Sequence, residues 1–320
     1  MFEGAQWGSV VPFALEKGDE FRSSIGPLPA RYGTSEFLKQ AEEIVSLSGD
    51  LTDRQKAIVE FWCNSSDPDE LLANWFHFAE FISERDHHSL DDDVKMYFAL
   101  SNALLDASIA TWDAKRFYDT ARPATLVPLL FRDKKVKARG SGFVLTNPEV
   151  QKNGPDASVI DGSLWIPYQP ATSPTPPSPE FPSEESAFSA AAAEILARFS
   201  GSDHFGNSAI VQKGSSHIEP GIALQETVTL KWETLTGAAD EAGMSTQYAG
   251  IHFASADLAG RRLGRLAAAR AWAKAQTYFN GLLDSVAVTE SQVNAMDVLS
   301  ARFEKETCNN LATTSEPRIN

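Results

Sequence analysis

Apolar residues recur at helical spacing along most of the chain. Phe37, Leu38, Ala41, Ile44 and Val45 form one stripe, with Thr34 or Ser35 placed to cap its helix. Thr52 opens a second helix through Ala57, Ile58, Phe61 and Trp62, and Asp67 a third through Leu71, Leu72, Trp75, Phe76, Phe78 and Phe81. A fourth begins near Leu90, where Asp91, Asp92 and Asp93 complement the helix dipole. It continues through Tyr97, Leu100, Ala103, Leu104, Ala107, Ile109 and Trp112 to the Arg122-Pro123 step, because a residue before proline is biased out of the helical region. Later helices are expected from Ser183 to a C-cap at Gly201, from Leu224 to about Ala242, from about Ala254 to Gly281, and from Glu290 to Glu306.

The pattern breaks between residues 132 and 182. DKKVKARGSG is basic and turn-rich, and ATSPTPPSPEFPSEES holds five prolines and four serines among its 16 residues, the composition of an extended loop. The pattern therefore predicts an all-α chain: an N-terminal extension (1–33) packed on a single large helical bundle (34–308), then a polar tail (309–320).

Composition narrows the function. An apolar content of 42% supports a sizeable core, and 28 basic against 43 acidic residues give a net charge of -15, which argues against nucleic acid as a partner. No run approaches the ~18 apolar residues of a membrane span. The start MFEGAQWGSVVPFALEKGDE lacks the basic n-region of a signal peptide. Cys63 and Cys308 support no disulfide framework, so a reducing cytoplasm is expected.

Three segments hold polar residues that core packing does not explain. Lys115 and Arg122 are seven apart, two helical turns, so both point from one face and can bind an anion. Pro182-Ser183-Glu184-Glu185 leads a proline-rich loop into a helix, whose free N-terminal N–H groups favour anions. His252 follows Ser245 by seven. Each has a plainer reading alone: a basic helix end, an ordinary cap, a packed histidine.

In order, the three resemble the vanadium haloperoxidase and type 2 phosphatidic acid phosphatase superfamily, whose pattern is K-x6-R-P, then P-S-G-H, then S-R-x5-H. The matching residues are Lys115, Arg122 and Pro123; Pro182 and Ser183; Ser245 and His252. The surrounding text ALLDASIATWDAK, SAFSAAAAEIL and YAGIHFASADLAGRRLG extends the likeness from about Phe61 to Gly264. The resemblance implies a haloperoxidase-type bundle in which Lys115, Arg122 and Ser183 cradle an oxyanion beside His252. It also puts homodimers among the assembly states to be tested.

The departures bear on chemistry. Glu184 replaces the family's glycine, Glu185 its acid–base histidine and Thr246 its second arginine. Each added carboxylate at ~4 Å from an oxyanion costs about 4 kcal/mol at an effective dielectric near 20, so vanadate is not expected to bind. The added acids suggest another cofactor, Mg²⁺ on Glu184, Glu185, Asp119 and Asp257, since hard cations take oxygen ligands. The expectation is then Mg²⁺-assisted chemistry in secondary metabolism on a lipophilic phosphate or prenyl diphosphate, by hydrolysis or terpene-cyclase-like ionisation. Trp75, Phe76, Phe78, Phe81, Trp112, Phe117, Tyr118 and Trp165 would then be available to line an apolar cavity. The alternatives are a cofactor-independent rearrangement or cyclisation with Glu185 and His252 as acid and base, a vanadate-dependent haloperoxidase, and a non-catalytic ligand binder.

Overall fold

The computed structural model describes residues 4–63, 69–137, 159–170 and 175–282. The expected helix at Glu290–Glu306, the polar tail, the opening of the third helix at Asp67 and part of the basic patch lie outside these residues. The helices are α1 (Ser35–Gly49), α2 (Asp53–Trp62), α3 (Asp69–Asp86), α4 (Leu90–Tyr118), α5 (Pro123–Leu130), α6 (Glu184–Ser200), α7 (Leu235–Tyr248) and α8 (Ala254–Phe279).

Local chemistry sets most of the helix ends. Thr34 accepts the Phe37 N–H at 3.3 Å. Thr52 with Gln55, and Ser89 with Asp92, form reciprocal capping boxes. Ser183 accepts the Ser186 N–H to open α6, and Gly201 closes it at φ 69°. The fourth helix stops earlier than its apolar pattern suggests. Asp119 adopts the left-handed conformation at φ 44°, ending α4 at Tyr118, and Arg122 becomes the residue that precedes α5, with Pro123 at its first position.

One expected element is replaced. The stretch assigned to a helix from Leu224 holds a strand, β4 (Val228–Thr234), and α7 begins only at Leu235. In β4 Leu230 and Trp232 are buried while Thr229, Lys231 and Glu233 are exposed, the period of two of a half-buried strand. β4 pairs antiparallel with β3 (His204–Val211). A second short ladder joins β1 (Lys135–Lys137) to β2 (Val159–Asp161). These ribbons decorate a mostly helical fold, in keeping with the all-α expectation.

The described residues up to Ala271 form one compact unit; of a second, from Trp272, residues 272–282 are described, and α8 ends within them at Phe279. Within the first unit the N-terminal segment is pinned to α4. Buried Asp106 accepts the N–H groups of Phe13 at 2.6 Å and Ala14 at 2.7 Å, and Arg22 makes a two-pronged contact with Asp113. Of the aromatic side chains that could either pack in the core or line a cavity, most pack on one another or elsewhere in the core. Trp75 and Phe78 meet edge to face at 5.3 Å and pack with Trp62, Trp232 and Phe205. Trp165 is buried and donates to Ser48, Phe76 stacks on Tyr97, and Phe117 is exposed. Such rings gain more from each other's faces and edges than from an open cavity.

Gly260 sets how closely α8 approaches the start of α6. A Cβ there would collide with the Ser183 carbonyl oxygen, so its absence lets the two segments lie against each other. The Ser183 N–H donates to Ala256 O at 3.0 Å, which fixes the α6 start in place.

Candidate active site

Four segments converge at the α6 N-terminus: the end of α4, the turn into α5, the loop 175–183, and the α7–α8 connection. Lys115, wholly buried, donates to Pro179 O at 2.7 Å and pairs with Glu184 Oε2 at 2.6 Å. Arg122 uses both edges of its guanidinium. Its Nε donates to Ser178 O at 3.0 Å, and its Nη2 to Ser178 Oγ at 2.9 Å and Glu184 Oε1 at 3.4 Å. Its Nη1 donates to Ile251 O at 3.4 Å and lies 3.0 Å from His252 Nε2.

Lys115 and Arg122 thus act together, though not as neighbours on one helix, because α4 ends between them. Ser245 and His252 are likewise not on one helix. α7 ends at Tyr248 and Gly250 turns the chain at φ 74°. Ser245 bonds to Ala242 O and to the Cys63 thiol.

His252 is fully buried between carboxylates. Its Nδ1 faces Glu180 Oε1 at 3.4 Å, and its Nε2 faces Glu185 Oε2 at 3.3 Å and Glu184 Oε2 at 3.5 Å. Burial and the Arg122 charge push its pKa down, but hydrogen bonds to Glu180, Glu184 and Glu185 outweigh them and raise it to about 9. Burial favours the neutral form of Glu184, yet Lys115, Arg122 and His252 hold its carboxyl well below the ordinary range. Burial, with Arg122 nearby, lowers the Lys115 pKa against the pull of Glu184. The Cys63 thiol is pushed up to about 12, first by burial and then by Glu185, so it remains protonated at neutral pH.

Three cations, Lys115, Arg122 and protonated His252, therefore face three acids, Glu180, Glu184 and Glu185. Ser183 donates to Glu185 Oε2 at 3.2 Å. Glu180 does not stand out in the sequence. It is 1% exposed, and its Oε1 accepts the Phe253 N–H at 2.9 Å while facing His252.

Of the four acids read as metal ligands, two lie together and the other two stand apart, each in a different place. Among the described residues, Glu184, Glu185 and His252 bring ligand atoms within 4.8 Å of one another. Asp257 is elsewhere in the bonding network. Its Oδ1 accepts from Arg261 Nε at 2.7 Å and Ser186 Oγ at 2.8 Å, and its Oδ2 from Arg261 Nη2 at 2.6 Å and Gln247 Nε2 at 2.7 Å. Asp119 sits in the left-handed turn after α4, on the rim of an open cleft of about 570 Å³ that reaches Arg122, Thr120, Pro177 and Ser178. Thr246, where the resemblance expects a second arginine, is buried and donates to Gly243 O. No helix among the described residues is long and apolar enough to cross a membrane.

This architecture has known counterparts. A bacterial vanadium-dependent chloroperoxidase, in its holo form, superposes with a TM-score of 0.71 at 21% identity, covering 87% of this chain and 55% of that one. Its apo form gives the same score and identity, with 57% of that chain covered. A bacterial vanadium-dependent iodoperoxidase gives 0.61 at 22% identity, over 85% of this chain and 58% of the other. At such identities the likeness concerns the fold, and the chain spans little more than half the length of these proteins. A comparison with curated protein sequences gives no match. The family model described as the VCPO second helical-bundle domain matches residues 95–281, which takes in every residue of the cationic cluster. The chain belongs to that family, within the vanadium haloperoxidase superfamily.

Proposed function

We propose that this haloperoxidase-family chain is a proton-transfer catalyst for a small organic molecule, working without vanadate, with His252 and Glu185 as its acid–base pair. The observation that carries the reading is the placement of His252 Nε2, 3.0 Å from the Arg122 Nη1 donor and 3.3 Å from the Glu185 Oε2 acceptor. With a proton on Nε2, His252 donates to Glu185. With that proton gone, the Nε2 lone pair accepts from Arg122. Both protonation states keep a hydrogen bond, which lowers the cost of passing between them. Glu180, on Nδ1, holds the ring in one orientation throughout. Glu185, 19% exposed, is the member of the pair that meets solvent and hence the substrate. Removal of a proton from one substrate atom and its return to another is an isomerisation, and with bond formation between the two events it is a cyclisation.

The donor set does not fit vanadate. The Glu184 carboxylate lies among the cations that would have to bind it, and Thr246 stands where the family pattern has its second arginine. The reading is tested by incubating the protein in D₂O with a panel of enolisable ketones. Deuterium incorporation into one of them, lost in Glu185→Gln and His252→Gln, is the expected result. Vanadate-dependent bromination of monochlorodimedone by the wild type, abolished in His252→Ala, refutes it.

A second reading, Mg²⁺-assisted chemistry on a lipophilic phosphate or diphosphate, keeps one supporting observation: the proximity of Glu184, Glu185 and His252 ligand atoms. It requires Glu184 to leave Lys115 and His252 to lose its proton before a cation can approach. Activity abolished by EDTA and by Glu185→Ala would favour it.

A further inference from the structure

Glu184 Oε2 lies 2.6 Å from Lys115 Nζ and 3.5 Å from His252 Nε2, and Glu184 Oε1 lies 3.4 Å from Arg122 Nη2. One carboxylate thus stands at the meeting point of three buried cations from three separate segments. It also belongs to the first residue of α6, where backbone N–H groups and the helix dipole favour negative charge. Surface ion pairs do not have this form. Lys115 is 0% exposed and Arg122 5%, so both cations are largely withdrawn from water and need protein partners.

We propose that Glu184 is an internal anion plugging a preformed site for a tetrahedral oxyanion, and that removing its carboxylate uncovers a binding site for inorganic phosphate or vanadate. The inference rests on the reading that the native chain works without an oxyanion cofactor. With Glu184 in place, Lys115, Arg122 and His252 are balanced by Glu180, Glu184 and Glu185, and an entering oxyanion must break the Glu184 contacts to make its own. Without Glu184, the three cations face two carboxylates. The uncompensated positive charge lies where Lys115 Nζ, Arg122 Nη2 and His252 Nε2 converge. Glu185 keeps its own partners, Ser183 and His252.

Charge-assisted hydrogen bonds contribute enough that each recovered contact is worth about tenfold or more in affinity. Glu184→Ala should therefore bind phosphate and vanadate at least about a hundredfold more tightly than the wild type.

The experiment measures thermal unfolding of the wild type, Glu184→Ala and the double variant Glu184→Ala/Arg122→Gln, with orthophosphate, orthovanadate, formate or chloride at matched ionic strength. ⁵¹V NMR of vanadate reports binding directly. The expected result is a rise in Tm with phosphate, vanadate and formate for Glu184→Ala alone, and vanadate line broadening with that variant alone. A folded Glu184→Ala indifferent to all three anions overturns the plug while leaving the proton-transfer reading untouched. Vanadate bound by the wild type overturns both. If Glu184→Ala does not fold, Glu184→Gln takes its place, since the neutral amide leaves Lys115 and Arg122 short of an anion. Its Tm should rise with phosphate, and a Tm unmoved by phosphate overturns the proposal.

Discussion

Replacing Glu180 with glutamine keeps the side chain's length and removes its charge from beside His252. In the folded chain the imidazole is raised from 6.5 to about 9, which corresponds to about 3 kcal/mol in favour of its cationic form. Because the folded value exceeds the unfolded one, this stabilisation is complete below the unfolded value and is lost as pH rises through about 9. Glu180 is one of three carboxylates that raise it, so Glu180→Gln should remove about 1 kcal/mol of that contribution and move its loss to lower pH. The amide oxygen still accepts the Phe253 N–H, which separates the charge effect from loss of a hydrogen bond. Urea unfolding from about pH 6 to about pH 10, for wild type, Glu180→Gln and His252→Gln, makes the comparison. Subtracting the His252→Gln curve reduces the contributions of titrating groups that both proteins share. The wild type should lose about 3 kcal/mol relative to His252→Gln across the range, and Glu180→Gln about 2. Parallel curves for all three proteins would refute the account of His252 as a buried cation held by carboxylates.

Asp106→Ala leaves the N–H groups of Phe13 and Ala14 without their acceptor and should cost about 3 kcal/mol; the check is a lowered Tm together with faster tryptic cleavage at Lys17 or Arg22. Asp257→Asn removes a charge partner of buried Arg261, whose remaining ion pair is with Asp240 at 2.7 Å, and should cost about 3 kcal/mol. Measured with and without Mg²⁺, that loss should be the same, whereas a metal-binding role for Asp257 predicts a difference.

The parts of the fold legible in the sequence are those written in local chemistry. Thr52 with Gln55 and Ser89 with Asp92 are reciprocal caps that need only the residues themselves. Gly201 is a left-handed stop. The hairpin is harder to see. Val228, Leu230 and Trp232 alternate, but the run is short and merges with the alanine-rich helix behind it, so a helical period also fits. The early end of α4 depends on Asp119 adopting a left-handed conformation, which no composition rule imposes on an aspartate. At the site, Lys115, Arg122, Ser183 and His252 are marked by motif order; Lys115, Arg122 and His252 meet at Glu184, and Ser183 bonds to Glu185 beside them. Two-turn spacing does not place the Lys115–Arg122 and Ser245–His252 pairs, since a helix ends inside each interval. Glu180 carries no signal. An acid in a proline-rich loop has no periodicity, and its burial appears only when that loop folds over His252.

The same contacts explain both the stability of the cluster and its closure to external anions. Burying Lys115 and Arg122 is unfavourable without negative charge nearby. In a protein that recruits an oxyanion, the ligand can supply that charge and stabilises the fold in proportion to its binding. Here Glu184 supplies it covalently, at an effective concentration that a free ion does not match. Whatever Glu184 contributes to folding is therefore what an oxyanion must overcome to enter. Glu184→Ala should accordingly lose stability in plain buffer and regain part of it in phosphate, two opposite changes that follow from one set of contacts.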